Sequence, residues 1–203
     1  MKEAFISDVH AKYDRLTRAV SRLKEHGYDR LRCLGDVVGD YAADEWVTHQ
    51  CVDLIKKECD LWILGNHDEA AQLRNRFKAE CIKEYLTSAR RIVHEQDVVY
   101  AHTEPAHRYG PDAISQGSYV DTTDAARRVF DRTTYRLAFL GHTHVPAAFG
   151  SDGSRHDFPA TRTMQLDKRL RWILTVGAVE SSRDGPCAAV FDHDAWTLTV
   201  IRG

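Results

Sequence analysis

The sequence lacks a dominant charge: 28 Lys and Arg stand against 30 Asp and Glu, for a formal net charge of −2. Without a global field to draw the chain to nucleic acid or an anionic membrane, any phosphate recognition must be local. It also lacks an apolar run near the roughly 18 to 20 residues that a membrane helix needs. Met1-Lys2-Glu3 opens on charge, not on the apolar core of a signal peptide. These absences predict a cytoplasmic protein. Cysteine is sparse and unpatterned. Cys33, Cys51, Cys59, Cys81 and Cys187 are odd in number and show no CxxC spacing, which suits reduced thiols rather than a disulfide framework or zinc knuckle. No repeat, low-complexity tract or Pro/Gly/Ser linker divides the chain, so one domain over residues 1–203 is expected.

Alternation of strand-like and helix-like segments organises the first two thirds. Residues 4–6 form a short apolar run ending in Ser7-Asp8-Val9-His10, and Leu16, Ala19, Val20 and Leu23 then recur at helical spacing until Gly27. The unit repeats with a strand at 31–34, a loop Gly35-Asp36-Val37-Val38-Gly39-Asp40, and a helix face of Trp46, Val47, Cys51, Leu54 and Ile55. A strand at 61–64 ends in Gly65-Asn66-His67-Asp68. Residues 77–92 read as helix, 97–101 as a strand ending at His102, 121–130 as helix, and 136–140 as a strand ending in Gly141-His142-Thr143-His144. From Val145 the period changes. Short β-rich segments at 145–149, 161–166, 171–176, 187–191 and 196–201, separated by Asp-Gly-type turns, predict antiparallel strands and hairpins. The fold class is therefore α/β (α+β), with two packed sheets flanked by helices.

What the chain does have is histidine, eleven in all, and several stand with carboxylates where strands end. Loops at the carboxyl ends of strands in α/β sheets converge on one rim, so clusters far apart in sequence become neighbours in space. Asp8 and His10, Asp36, Asn66 and His67, His102, and His142 and His144 occupy such positions. Their oxygen and imidazole donors suit Mn, Fe, Zn, Co or Ni, and the lack of cysteine among them argues against a structural zinc site. A pair of metals is the economical reading, since two cations about 3.5–4 Å apart brace both attacking and leaving oxygens in a phosphoryl displacement.

In order and spacing, Asp8-Val9-His10, Gly35-Asp36, Gly65-Asn66-His67-Asp68, His102 and Gly141-His142-Thr143-His144 resemble the signature of the calcineurin-like metallophosphoesterases. The segments Val176-Gly177-Ala178-Val179 and Ser182-Arg183-Asp184-Gly185 resemble the final strand and turn of its small bacterial and archaeal phosphodiesterase branch. The resemblance implies a four-layer αββα sandwich of two mixed β-sheets flanked by helices. It places Asp8, His10, Asp36 and His144 on one metal, and Asp36, Asn66, His102 and His142 on the other, with Asp36 bridging. Manganese is the first choice, with Fe, Zn, Ni and Co as alternatives. His67, outside the ligand set, is the implied catalytic residue that stabilises the transition state or protonates the leaving oxygen, and His10 is the candidate to share that role.

Departures from the family pattern narrow the reading. Gly39-Asp40 stands where protein Ser/Thr phosphatases carry Asp-Arg-Gly, leaving Asp68 as a candidate to orient His67. Ala11 and Thr103 replace glycines common after the first and fourth motifs. Asn66, His107 and Arg183 are candidate substrate contacts, the last two with a surface role as the alternative. Arg74, Arg76 and Lys78 either clamp phosphate or form a solvated helix face. His26, His49, His94, His156 and His193 have no partner motif and read as solvated or structural. The implied function is metal-dependent hydrolysis of a phosphate ester in a small phosphorylated molecule or nucleotide, through a metal-bridging hydroxide. The alternative is a non-catalytic scaffold like the retromer subunit related to this family. Extended nucleic acid and membrane are not expected partners.

Overall fold

Side chains alternate between faces along a strand, and this alternation sorts the apolar residues into three cores. In β1 (Lys2–Ile6), Ala4 and Ile6 enter one core and Phe5 another; in β6 (Leu137–Leu140), Leu137 and Phe139 join the core of Phe5, while Ala138 and Leu140 enter the third. The computed structural model describes residues 1–39, 43–105, 119–181 and 185–203. Besides β1 and β6, its strands are β2 (Arg30–Cys33), β3 (Leu61–Trp62), β4 (Ile92–Glu95), β5 (Val98–Ala101), β7 (Ala147–Gly150), β8 (Arg155–Asp157), β9 (Arg162–Gln165), β10 (Trp172–Thr175), β11 (Cys187–Asp192) and β12 (Thr197–Arg202). They form two mixed six-stranded sheets, ordered β3-β2-β1-β11-β12-β9 and β4-β5-β6-β10-β7-β8.

The middle core lies between the sheets. Phe5 stacks on Phe139 with ring centroids 4.1 Å apart, and Tyr100 and Phe191 pack beside them. Removing a buried ring of this kind costs about 3–5 kcal/mol. Helices α1 (Tyr13–His26), α2 (Glu45–Glu58), α3 (Asn66–Leu73) and α4 (Glu80–Ser88) pack residues onto the outer face of the first sheet. Helix α5 (Thr123–Arg132) packs Ala125, Ala126 and Val129 on the second, completing the αββα sandwich. Helix α1 buries Leu16, Ala19, Val20 and Leu23, and Gly27 ends it with φ 70°. Asp44 starts α2 by accepting the N–H groups of Trp46 and Val47. Among the described residues no helix is long and apolar enough to cross a membrane.

Three sequence expectations need correction. The helix expected over 77–92 runs only from 80 to 88, because Glu45 accepts the N–H groups of Lys78 and Ala79 before it, and Arg90 bridges Ile63 of the first sheet after it. Residues 66–68, expected as loop, open α3. Strand β10, expected in an antiparallel set, pairs parallel with β6 on one side and antiparallel with β7 on the other.

Each sheet thus contains a parallel trio, β1-β2-β3 and β5-β6-β10. Toward the other end of β1 lies a buried ionic cluster. Glu3, fully buried, takes Arg32 Nη2 at 3.1 Å, Tyr100 OH at 3.0 Å and His193 Nε2 at 2.8 Å, and Arg32 also reaches Glu95.

Candidate metal centre

The candidate residues lie just beyond the ends of parallel strands. Asp8 and His10 follow β1, Asp36 follows β2, Asn66 and His67 come after β3, His102 follows β5, and His142 and His144 leave β6. The chain turns sharply there. Asp8 (φ 53°), His10 (47°), Asp36 (52°), His142 (66°) and His144 (57°) all adopt left-handed backbone, at a cost on the order of 1 kcal/mol or more each. Neighbouring loops hold these turns: Asp8 N donates to Gly35 O at 2.9 Å, Val9 N to Asp36 O at 2.8 Å and Ala11 N to Val37 O at 3.0 Å. Gly35 is required by its φ of 103° and by contact, since a Cβ there would stand 2.8 Å from both Gly65 N and His102 Nδ1.

The turns bring two groups of donors together. Ligand atoms of Asp8, His10 and His144 lie within 4.8 Å of one another, as do those of Asp36, His102 and His142; a further set of His10, Asp36 and His67 overlaps both. His102 Nε2 is 3.1 Å from Asp36 Oδ2 and 3.1 Å from Asn66 Oδ1, and His144 Nε2 is 3.2 Å from Asp8 Oδ1. His10 Nε2 lies 3.9 Å from Asp8 Oδ1 and 3.8 Å from Asp36 Oδ2, so it faces both groups. Atoms bound to one ion at about 2.1 Å stand roughly 3 Å apart, so these separations fit shared cations. The chemistry of the buried atoms agrees. Among the described residues Asp8 Oδ1 and His10 Nε2 have no hydrogen-bond partner, a costly state for buried polar atoms that a cation would relieve. The His144 approach to Asp8 is that of an ion pair rather than an aligned hydrogen bond.

Second partners fix the rings. His102 Nδ1 is 2.7 Å from the Leu34 carbonyl, which turns Nε2 toward Asp36, and His144 Nδ1 is 3.3 Å from Glu180 Oε1, which turns Nε2 toward Asp8. Backbone N–H groups hold the carboxylates: His142 N donates to Asp8 Oδ2 at 3.0 Å and His67 N to Asp36 Oδ1 at 2.8 Å.

Without metal, the centre is charged against itself. Burial disfavours the His102 cation, yet Asp36 beside it overrides burial and pushes its pKa up to about 10. Burial likewise opposes the Asp36 anion, and His102, His10 and His67 hold its carboxyl well below the usual range. His142 moves the other way, lowered to about 4 by burial and by the His102 charge. Asp68 is raised to about 7, by burial and by the Asp36 charge.

Asp68 uses its oxygens on Val38 N at 2.9 Å and Gly65 N at 3.0 Å, so it staples two loops together. His67 is half-buried on the first turn of α3, its ring edge-on to His10 at 4.8 Å between centroids. Arg76 Nη1 donates to the Gly39 carbonyl at 2.6 Å and so braces the Asp36 loop. Candidate substrate contacts His107 and Arg183, together with Asp40, lie outside the described residues. Sequence reading missed Glu180, which follows the Val176-Gly177-Ala178-Val179 segment. Its carboxylate reaches His144 and stands 4.0 Å from His10 Nε2, while Arg15 donates to its carbonyl. Also missed was Tyr119, stacked on His142 with centroids 4.2 Å apart. Neither had a motif to mark it.

Two face-to-face mixed sheets with a cluster of Asp, His and Asn on their shared rim define a metallophosphoesterase. The sequence profile of the Calcineurin-like phosphoesterase superfamily domain matches residues 1–195, and the chain belongs to that superfamily. A crystallised metallophosphoesterase from Sphaerobacter thermophilus is 27% identical with a TM-score of 0.81, the match covering 100% of this chain and 87% of that one. An uncharacterized protein of Methanocaldococcus jannaschii is 27% identical over 225 residues, covering 98% of this chain and 86% of its own. An archaeal phosphodiesterase shares the fold at 14% identity and a TM-score of 0.55, covering 100% of both chains. The family supports metal-dependent phosphoester hydrolysis as the general activity.

Proposed function

We propose that this chain hydrolyses a small phosphate ester, a phosphodiester or nucleotide foremost, at a binuclear centre of Asp8, His10, Asp36, Asn66, His102, His142 and His144. The observation that carries this reading is the pair of buried atoms Asp8 Oδ1 and His10 Nε2, which have no hydrogen-bond partner among the described residues and face only other candidate ligands and Glu180, set among five left-handed turns. Strain and unmet polarity of this kind persist where function requires them. The ligand assignment puts Asp8, His10, Asp36 and His144 on one cation, and Asp36, Asn66, His102 and His142 on the other. Manganese is the first candidate metal. Bound there, the cations supply Lewis acidity, nucleophile activation and charge neutralisation for an in-line displacement.

The protein's own groups do the rest. Glu180 and the Leu34 carbonyl hold His144 and His102 with Nε2 inward. Asp36 is held by the His67 N–H on the first turn of α3, whose positive end favours negative charge. Hydrolysis breaks a P–O bond and leaves an oxygen that needs a proton, and His67, half-buried with its ring edge-on to His10, is the candidate to deliver it. Retention of His67 together with every candidate ligand supports catalysis over a scaffold.

The test is metal-loaded wild type against Asp36→Ala and His142→Ala, with bis-p-nitrophenyl phosphate and p-nitrophenyl phosphate as substrates. Turnover in the wild type and its collapse in both variants is expected. Full turnover in either variant overturns the centre, and a wild type inactive on a broad ester panel returns the protein to the scaffold reading.

A further inference from the structure

His49 has no partner motif in the sequence, but the fold gives it two partners that are not among the rim residues. His49 and Asp53 stand four residues apart on α2 and so share a face, with His49 Nε2 3.2 Å from Asp53 Oδ2. Cys81, on the first turn of α4, converges on them, and one ligand atom from each of the three lies within 4.8 Å of the others.

The helices are fastened on both sides of this trio. Before it, Glu45 Oε1 accepts Lys78 N at 2.7 Å and Ala79 N at 2.6 Å; beyond it, Lys56 Nζ pairs with Glu84 Oε2 at 3.2 Å. Residues 45, 49, 53 and 56 make one stripe along α2, and these contacts hold the Cys81 turn in register with it. Trp46 lies edge-on to the His49 ring, with centroids 5.9 Å apart.

From this convergence we infer that His49, Asp53 and Cys81 form a second metal site, separate from the rim, for a zinc-class divalent cation. Thiolate and imidazole select zinc, cobalt or cadmium over the hard magnesium and calcium ions. Three protein ligands leave a fourth tetrahedral position for water or an outside donor. With bonds of roughly 2.0–2.3 Å, tetrahedral ligand atoms sit about 3.3–3.8 Å apart, so the trio closes by small side-chain shifts. All three positions have room for them: Asp53 is exposed, and His49 and Cys81 are half-buried. The cation bridges α2 and α4 and strengthens their packing.

Cobalt(II) distinguishes this site from the rim, because the rim holds no thiolate and Cys33, Cys51, Cys59 and Cys187 are buried. Titrated into the full chain, cobalt is expected to produce a near-ultraviolet thiolate-to-metal charge-transfer band. The band disappears in Cys81→Ser, which also binds one equivalent less zinc by equilibrium dialysis and elemental analysis, while ester hydrolysis and circular dichroism stay at wild-type values. In His49→Ala the midpoint weakens by more than the roughly tenfold that loss of an outer partner costs. No band at saturating cobalt overturns the site, as does a band that survives in Cys81→Ser. An unmoved midpoint in both His49→Ala and Asp53→Asn overturns it as well, since it marks Cys81 as an adventitious thiol. None of these outcomes touches the reading of the rim.

Discussion

Two polar clusters flank strand β1, one around Glu3 near its start and one at the rim beyond its end, and they solve burial in opposite ways. Around Glu3, each charge meets its complement: Arg32, Tyr100 and His193 converge on one carboxylate, and Glu95 takes the remaining face of Arg32. At the rim, Asp8 Oδ1 and His10 Nε2 have no hydrogen-bond partner among the described residues, and five candidate ligand residues hold left-handed backbone. The first cluster is complete as folded. The second leaves buried polar atoms whose hydrogen-bonding capacity a cation would satisfy. Polar burial alone therefore does not mark a functional site; polar burial left unsatisfied and held in strain does.

The largest effect expected from breaking this contrast is at the rim. Asp36→Ala should lower kcat/KM for bis-p-nitrophenyl phosphate about 10³-fold or more, equivalent to roughly 4 kcal/mol of transition-state stabilisation, in steady-state assays of metal-loaded protein. At the other cluster the loss should be of stability. Arg32→Met leaves Glu3 buried without its cation and should cost about 3 kcal/mol in urea unfolding, with the remaining folded protein still active.

Glu180→Gln probes the outer support of the rim. It should weaken metal binding about tenfold by calorimetric titration, while thermal unfolding of the metal-free protein barely moves. His142→Gly should invert the usual sign: it abolishes turnover yet leaves the metal-free protein as stable as wild type or more stable by up to about 1 kcal/mol, because glycine accepts φ 66° without strain.

The smallest effect is a pH dependence. Burial pushes the Glu3 carboxyl up, but His193, Tyr100 and Arg32 outweigh it, so the folded value lies below the ordinary 4.5. A depressed carboxylate contributes stability that is present above its ordinary value and lost as pH falls through the folded one. Glu3→Gln should flatten that acid limb in a series of unfolding curves.

Much of this was legible in the chain. The candidate ligands sit at strand ends, which period and punctuation locate, so the convergence of Asp8, His10, Asp36, His102, His142 and His144 on one rim could be anticipated from the sequence. Helix α3 was hidden because its eight residues, Asn66–Leu73, are too short for a clear period. Strands β4 and β8 are short and lie at the sheet edge, where alternation is weak. The parallel pairing of β10 with β6 depends on which chain segments intervene between them, a property of topology that no local pattern records. Glu180 and Tyr119 lie outside every motif and gain meaning only from His144 and His142 beside them. His49 shows the same limit on the helical face.

The sheet order sets a schedule for the chain's own synthesis. Strand β1, which carries Asp8 and His10, is flanked on one side by β11, residues 187–192, and Glu180 N donates to the Asp8 carbonyl at 3.0 Å. A nascent chain that has released its first 150 residues already exposes all seven candidate ligands but has neither the strand that completes their sheet nor the carboxylate that orients His144. A growing polypeptide thus carries every candidate ligand before it can finish the centre, and competence waits for Glu180 and β11 to follow.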